Sequence, residues 1–378
     1  MFVLVIICFA GVFAATGYSL FRLFKFYKAV INKPGWIYWL VQLLLVGNMF
    51  ISAMNQHLVQ NPVLTGIMQF FAAAEFIIIL YSAIVFLLRD LIRLLVTLVL
   101  RLKRGKTADN SAGEKPLKAL YGNRFTVILL CLLFILSVYG YISMGIIHEK
   151  EYELHISKHA ETDRMTAAVL TDLHVGTGVW VADIPELVDK VNAMNCDIIL
   201  VVGDVVDNNT PDSAYDMIRK EFARFDAEHG VIFTFGNHDK SGSPMLEKAL
   251  SDAGVRILKD EMIKIDGINF VGRDDVSRGK IKELSEYDID YDEPVIVLNH
   301  QPNRLASLTD ADLVLSGHTH GEQFPLCYFL NMTSNDNIYG IKKFENMTSL
   351  VTSGAGGWGF RFKCPSFSEI LKLTISFE

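Results

Sequence analysis

The segment Leu313-Val-Leu-Ser-Gly-His-Thr-His-Gly321 is a short apolar run that stops at Gly317 and is followed by His318 and His320. Two histidines at positions i and i+2 of a strand end point the same way, so they can bind neighbouring metal ions. A single His-x-His pattern is weak evidence, because ordinary polar turns also contain it. The segment gains weight because other apolar runs of this chain end in the same kind of residue.

Four more apolar runs, in 168–174, 199–204, 232–239 and 295–300, each end in a residue able to bind metal. Side chains at the carboxyl ends of several strands converge in an open α/β sheet, so they can form one site. Carboxylate, imidazole and amide donors without thiolate suit Mn, Fe or Zn, and seven of them suit two ions sharing a carboxylate. Such a pair activates a hydroxide for attack on a phosphoester. The seven predicted ligands are Asp172, His174, Asp204, Asn237, His300, His318 and His320.

The composition predicts a membrane part and an acidic second half. Of the 378 residues, 51% are hydrophobic, and the mean hydropathy is +0.30, which is too apolar for a soluble protein. Residues 1–150 contain 14 Lys/Arg and 5 Asp/Glu, and the remainder contains 21 and 37. An acidic second half argues against nucleic acid as a partner, because nucleic-acid binding usually needs a basic face.

Four apolar stretches have the length of membrane spans, and they are 2–20, 36–54, 64–88 and 125–147. A signal peptide is the alternative for the first stretch, but no basic residue precedes it and further spans follow. Glu75 lies near the middle of the third span, so it should face protein. It is a functional candidate, and a structural hydrogen bond between helices is the alternative. We expect a helix break near Arg89, followed by a basic helix on the membrane surface.

The distribution of basic residues predicts the orientation in the membrane. They cluster after the first and third spans, and the segment between the second and third spans has none. The positive-inside rule then places both basic loops in the cytoplasm and the chain termini outside. The protein is therefore predicted to be a multi-pass membrane protein with an extracytoplasmic catalytic domain.

Three regions follow from these patterns: a four-span transmembrane domain (1–148) with basic cytoplasmic loops, a charged connector (149–164) and a catalytic domain (165–378). In the last, short β-type runs alternate with helical ones, and a hairpin is expected around Asp266-Gly267. The predicted fold of this domain is an α/β sandwich with two mixed β-sheets flanked by helices.

The motif series resembles the signature of the calcineurin-like metallophosphoesterases. Five blocks occur in the family's order: Asp172-x-His174, Gly203-Asp204-x-x-Asp207, Gly236-Asn237-His238-Asp239, Asn299-His300 and Gly317-His318-x-His320. The resemblance covers about 165–378, and the helical part resembles the membrane-attached branch of that superfamily.

The resemblance implies a role for each motif residue. One ion would be held by Asp172, His174, Asp204 and His320. The other would be held by Asp204, Asn237, His300 and His318, with Asp204 as the bridge. His238 would polarise the phosphate or protonate the leaving oxygen, and Asp207 would orient it. An imidazole oriented by a carboxylate is suited to proton donation near neutral pH.

Departures from the family pattern and the late loop add candidates for substrate binding. The last motif has Glu322 before Gln323, where many relatives of the membrane branch have glycine. The loop from Gly354 to Arg361 resembles the family's closing loop, which makes Arg361 a candidate phosphate contact, and Arg273 is a second one. A surface arginine is the alternative for each.

The leading interpretation is a membrane-anchored phosphohydrolase with two divalent metal ions that cleaves a phosphoester or pyrophosphate bond. A lipid or lipid-linked substrate is favoured by the short connector and by two apolar stretches near the motifs, 324–330 and 358–363, the second containing Trp358. Core packing is the alternative for the second stretch. The alternative function is a membrane sensor or scaffold whose metal domain binds a phosphorylated ligand without significant turnover.

Overall fold

Long apolar helices form the N-terminal part of the chain. In the computed structural model, which describes residues 2–54, 62–104, 122–207, 210–239, 244–324 and 332–378, they are α1 (Phe2–Val30), α2 (Gly35–Met54), α3 (Pro62–Arg104) and α4 (Asn123–Met144). The chain divides into two units between Tyr139 and Gly140. The last turn of α4 therefore belongs to the second unit.

Three helical segments, not the four that were predicted, are long and apolar enough to cross a membrane within the described residues: Gly35–Ser52, Val63–Val99 and Asn123–Met144. The predicted span 2–20 lies on α1, where the side chains of residues 2–10 and 12 are outside the described part of the structure. The apolar character and length of the other three are sufficient for membrane association.

The predicted helix break near Arg89 is wrong, because α3 continues through it to Arg104. Asp90 offsets part of the positive charge there. It accepts a hydrogen bond from the Tyr18 hydroxyl (2.6 Å) and pairs with Arg22 (3.1 Å) and Arg89 (3.3 Å). Since these charges are paired within the helical unit, the helix does not need to end at them. Glu75 is 5% exposed, as expected for an ionisable group on an apolar helix.

The second unit contains two six-stranded sheets among the described residues. The first has the order β1-β12-β2-β3-β4-β5, in which β2 to β5 are parallel and β12 is antiparallel to β2. Its strands are β1 (Ile147–His155), β2 (Arg164–Leu170), β3 (Ile198–Val202), β4 (Val231–Thr234), β5 (Arg256–Ile257) and β12 (Ser368–Ser376). Helices α5 (Ile184–Ala193), α6 (Asp212–Phe222) and α7 (Pro244–Asp252) connect the parallel strands.

The second sheet has the order β10-β11-β9-β8-β7-β6, with antiparallel strands at both edges. Its strands are β6 (Glu261–Ile265), β7 (Ile268–Gly272), β8 (Val295–Leu298), β9 (Leu313–Ser316), β10 (Gly340–Phe344) and β11 (Met347–Val351). The predicted hairpin is present between β6 and β7. Asp266 (φ 49°) and Gly267 (φ 74°) are both left-handed, as a two-residue hairpin turn requires.

One hydrophobic core lies between the two sheets, and another lies between the first sheet and its helices. In β3, Ile198, Leu200 and Val202 face the core between the sheets, while Ile199 and Val201 pack against the helices. Successive side chains of a strand point to opposite faces, so a strand covered on both sides must be apolar throughout. The two mixed sheets flanked by helices agree with the predicted sandwich.

The segment predicted as a connector, 149–164, begins within a strand. β1 pairs in parallel with β12 along its whole length and forms an edge of the first sheet. Its sequence, Ile147-His-Glu-Lys-Glu-Tyr-Glu-Leu-His155, is charged because the strand is partly exposed. Charged residues are common on edge strands, where they discourage pairing with other chains.

Candidate metal centre

The predicted ligands lie directly after the parallel strands of both sheets. Asp172 and His174 follow β2, Asp204 follows β3, Asn237 follows β4, His300 follows β8, and His318 and His320 follow β9. Because the carboxyl ends of parallel strands meet at one edge, residues separated by about 150 positions come together.

These side chains form two groups that could each hold a metal ion. The first consists of Asp172, His174 and His320, and the second of Asp204, His300 and His318. In each group the ligand atoms lie within 4.8 Å of one another. Each group contains three of the four ligands that the family resemblance implies for one ion, without Asp204 in the first group and Asn237 in the second. The assignment of the ligands to two ions stays a prediction.

Asp204 lies between the two groups. Its Oδ2 atom is 3.0 Å from Nε2 of His300 in the second group and 3.6 Å from Nε2 of His174 in the first. Its Oδ1 atom accepts a hydrogen bond from the backbone N–H of His238 at 2.7 Å. One carboxylate oxygen is thus fixed by the backbone, and the other faces both histidines, as a shared ligand requires.

Several buried donor atoms have no hydrogen-bond partner among the described residues. Buried polar atoms are nearly always paired, so each such atom needs an explanation. A cation coordinated by these lone pairs explains the set and fits its mixture of carboxylate, imidazole and amide donors. The atoms are Nε2 of His174 and His300, Nδ1 of His320, Oδ2 of Asp204 and Oδ1 of Asn237.

The backbone is strained at the ligands. The left-handed region, which non-glycine residues rarely adopt, is occupied by five of them: Asp172 (φ 55°), His174 (43°), Asp204 (54°), His318 (70°) and His320 (53°). Each such residue costs about 1–3 kcal/mol and persists only when the surrounding structure enforces it. Strain at the ends of three strands, β2, β3 and β9, is typical of a functional site.

Burial and nearby charges shift the pKa values of the predicted ligands His300, His318 and His320. Burial lowers the pKa of His318 to about 4 and that of His320 to about 3, so both rings are neutral at pH 7 and present lone pairs. Burial alone would also lower the pKa of His300, but Asp204 raises it to about 10. A metal ion must therefore displace a proton from His300, and its binding will depend on pH.

Comparison with known proteins identifies the domain. A family model described as calcineurin-like phosphoesterase matches residues 165–322. The chain contains a calcineurin-like metallophosphoesterase domain. The matched residues begin in β2 and extend past the last predicted ligand, His320, so they include both ligand groups of this metallophosphoesterase domain.

Related proteins combine such a domain with membrane segments or remain uncharacterized. An uncharacterized metallophosphoesterase of Helicobacter pylori strain J99 is 32% identical over 220 residues, which are 54% of this chain and 58% of that protein. A transmembrane protein with metallophosphoesterase domain from Danio rerio is 27% identical over 297 residues, 72% of this chain and 67% of that protein. The chain thus spans less than two thirds of the length of the bacterial relative. The crystal structure of a dimetal phosphatase from Danio rerio has 11% identity and a TM-score of 0.34, covering 57% of this chain and 99% of that one.

His238 lies beside the ligand groups of the metallophosphoesterase domain. Its ring centroid is 5.1 Å from that of His174 and 5.6 Å from that of Trp358. The Trp358 side chain is 53% exposed, so the indole forms an open wall next to the imidazole. The predicted catalytic and substrate-binding residues are adjacent here.

Asp207 lies close to a ligand of the metallophosphoesterase centre. Its Oδ2 atom is 3.6 Å from Nδ1 of His174 and accepts a hydrogen bond from Thr177 Oγ1 at 3.2 Å. A carboxylate behind a metal-binding histidine fixes the tautomer of the ring. The orientation of His238 by Asp207 stays a prediction.

Arg361 and Arg273 are both buried in the metallophosphoesterase domain. Arg361 donates from Nη1 to the Gly178 carbonyl at 3.0 Å, and its guanidinium lies over the rings of Trp180 (4.9 Å) and Tyr141 (5.6 Å). Arg273 is 2% exposed and donates to Oδ1 of Asn299 at 3.2 Å, next to the ligand His300. These contacts are structural, and phosphate binding by either arginine stays a prediction.

Asp239 has a role that its motif did not reveal. Its buried carboxylate accepts hydrogen bonds from the backbone N–H groups of Asp204 (2.6 Å), Gly236 (2.9 Å) and Val206 (3.0 Å). Burial and the charge of Asp204 raise the pKa of Asp239 to about 7. The residue holds the turn that presents Asp204. The available sequence signal was that a carboxylate directly follows the motif residues Gly236, Asn237 and His238 after β4.

Proposed function

We propose that this chain is a membrane-anchored phosphohydrolase that uses two divalent metal ions, Mn, Fe or Zn, to cleave a phosphoester or pyrophosphate bond. The observation that supports it most strongly is the position of Asp204 Oδ2 between two groups of buried ligands, with His238 alongside. The ions would supply a hydroxide nucleophile at neutral pH and neutralise the phosphoryl oxygens.

In the proposed reaction, the oxygen of a water molecule adds to phosphorus and one proton of that water is released to solvent. The bond from phosphorus to the leaving oxygen breaks, the leaving oxygen takes a proton from His238, and His238 regains a proton from solvent. Burial lowers the pKa of His238, whereas Asp204 and Asp207 act in the opposite direction. The negative charge of a bound phosphoester would act against the lowering by burial and favour the protonated ring. General acid catalysis of this kind contributes about 100- to 10,000-fold.

Turnover of bis(p-nitrophenyl) phosphate by the purified full chain in detergent tests the proposal. We expect hydrolysis that depends on added Mn and is abolished by Asp204→Ala. His238→Ala should bind metal normally and lose turnover. The matched control is His229→Ala, because His229 pairs with Asp266 at 3.0 Å outside the motif series. Failure of metal-loaded protein to hydrolyse any mono-, di- or pyrophosphate ester would support the sensor or scaffold alternative instead.

We further propose a lipid or lipid-linked phosphoester as the substrate. Support comes from the exposed Trp358 next to His238 and from the loop that follows it. In that loop, the Lys363 backbone N–H donates to the Gly140 carbonyl at 2.9 Å in the last turn of α4, and Phe362 leaves no room for a side chain at position 140. The loop beside His238 therefore contacts the part of α4 that belongs to the second unit. Helix α4 is a candidate membrane span.

A lipid phosphoester in mixed micelles should be cleaved faster than its water-soluble headgroup analogue, and Trp358→Ala should slow only the lipid reaction. Tyr291→Ala serves as the control, since Tyr291 is an exposed aromatic residue before β8. Equal catalytic efficiency on both substrates, unchanged in Trp358→Ala, would refute the lipid substrate without affecting the phosphohydrolase proposal.

A further inference from the structure

Gln323 connects the last metal-ligand motif to the loop that carries Trp358. It follows the ligand His320 by three residues and is 4% exposed. Among the described residues, the hydrogen bonds of its side chain all go to the backbone of this loop. Oε1 accepts from the Trp358 N–H at 3.0 Å, and Nε2 donates to the carbonyls of Trp358 (2.9 Å) and Phe360 (3.1 Å).

The backbone of Gln323 binds the same loop. Its carbonyl accepts from the N–H of Cys364 at 3.1 Å. Gly357 passes so close to the amide that a Cβ atom there would lie 3.0 Å from Oε1. Because a buried amide that loses its partners costs about 1–3 kcal/mol, the loop and the amide hold each other in one arrangement.

In the described part of the structure, the Trp358 indole has a ring contact with His238. The side chain is 53% exposed, in contrast to Phe362, which is fully buried four residues later. Burial therefore anchors the loop at Phe362, and Lys363 adds hydrogen bonds from Nζ to the carbonyls of Ser353, Gly354 and Gly356. At position 358 itself, the amide of Gln323 sets the backbone from which the indole reaches His238.

We propose that Gln323 is a positioning residue that holds Trp358 as the wall of a leaving-group subsite, and that this subsite takes an apolar alcohol portion of the substrate. The inference rests on the proposed function, in which His238 protonates the leaving oxygen. The group attached to that oxygen then lies beside the imidazole, where the exposed face of the indole is 5.6 Å away between ring centroids. An indole face favours apolar chains over small polar groups.

Two phosphodiesters that differ only in the departing alcohol, octanol or methanol, distinguish an effect on binding in this subsite from an effect on the chemical step. The two alcohols have similar acidity, so their leaving oxygens need similar help from His238. Gln323→Met retains the volume of the side chain without its hydrogen bonds. We expect Gln323→Met and Trp358→Ala each to lower kcat/KM for the octyl ester about 10-fold, as for the loss of a few buried methylenes. The methyl ester should lose less than the octyl ester, so the octyl-to-methyl ratio of kcat/KM should fall in both variants, and the double variant should match the single ones.

The matched control is Asn192→Ala. The Asn192 amide makes the same kind of contacts as Gln323, accepting from the Asp226 N–H at 3.0 Å and donating to the Arg224 carbonyl at 2.8 Å, but between α5 and the end of α6. Its loss should leave the octyl-to-methyl ratio unchanged. Equal losses on both esters in Gln323→Met, or additive losses in the double variant, would overturn the positioning role.

A second measurement does not depend on turnover. The protein is labelled with fluorotryptophan, and the ¹⁹F resonance of Trp358 is assigned with the Trp358→Phe variant. This resonance should shift when His238 is replaced by alanine. The same replacement in a Gln323→Met background should leave the resonance unshifted. An unchanged response in that background would refute the inference even if hydrolysis is observed. Conversely, if the wild-type chain hydrolyses no phosphoester while the resonance behaves as expected, the proposed function fails and the positioning role of Gln323 stands.

Discussion

Asp204 belongs to the second ligand group and also faces His174 of the first. If it bridges two cations, its loss leaves two positive charges close together without their shared anion. Asp204→Asn should therefore reduce bound metal to one ion or fewer per chain, as measured by elemental analysis of protein purified with added Mn. His238→Ala should retain both ions, because His238 lies beside the ligand groups and is not a member of either.

Asp216→Asn is the control for this prediction, since the Asp216 side chain is 84% exposed on α6. It should bind metal as the wild type does. Two ions in Asp204→Asn would contradict the bridging assignment.

Asp239 supports a second prediction at the residue scale. An asparagine there keeps the shape of the side chain but replaces an acceptor oxygen by an amide group that cannot accept the backbone N–H groups of Asp204 and its neighbours. We expect Asp239→Asn to lower the free energy of unfolding by about 1–3 kcal/mol, measured by denaturant titration of metal-free protein.

The comparison variant for Asp239→Asn is Asp252→Asn. Asp252 makes an exposed pair with Lys248 at 2.9 Å, and pairs of this kind contribute about 1 kcal/mol or less. Equal stability of Asp239→Asn and Asp252→Asn would show that the buried acceptor contributes little.

At the scale of elements, glycines allow the strand ends to approach one another. A Cβ atom at Gly317, which follows β9, would lie 2.2 Å from Oδ2 of Asp172 after β2, across the two sheets. Gly317→Ala should therefore displace Asp172 and lower metal content and turnover together. Elemental analysis and the bis(p-nitrophenyl) phosphate assay measure the two effects.

Gly47→Ala in α2 provides the control, because an added methyl group there meets no atom within 4 Å. It should retain metal and activity. Full metal content in Gly317→Ala would mean that the strand ends move apart without cost.

For the whole molecule, we predict that the metallophosphoesterase domain is extracytoplasmic, on the basis of the basic residues after the first and third predicted spans. In a cysteine-free background, Lys248→Cys, a 74% exposed position on α7, should react with an impermeant thiol reagent on intact cells. Lys106→Cys, outside the described residues, should react only after permeabilisation. The reverse labelling pattern would invert the orientation.

Much of the metal centre was predictable because its information is local in sequence. Each ligand directly follows an apolar run, as in Ile199-Leu-Val-Val-Gly-Asp204, and a parallel strand delivers its next residues to the sheet edge wherever it lies. The hairpin at Asp266-Gly267 and the helices α5 to α7 followed from equally local patterns. The edge strand β1 was missed because its charged residues obscure a short alternation in which Tyr152 and Leu154 pack on the core. The continuous α3 was missed because Asp90 pairs with Arg22, 68 residues away.

The order of the ligand motifs, the donor chemistry of the candidate metal centre and the apolar character of the helical part can be read from the chain without its fold. The packing of Arg361 on Tyr141 and Trp180, and the hydrogen bonds that join Asp239 to Asp204 and Gln323 to Trp358, arise only when the chain folds. A ligand type is a property of one side chain, whereas a hydrogen bond across 35 positions depends on how the intervening chain folds.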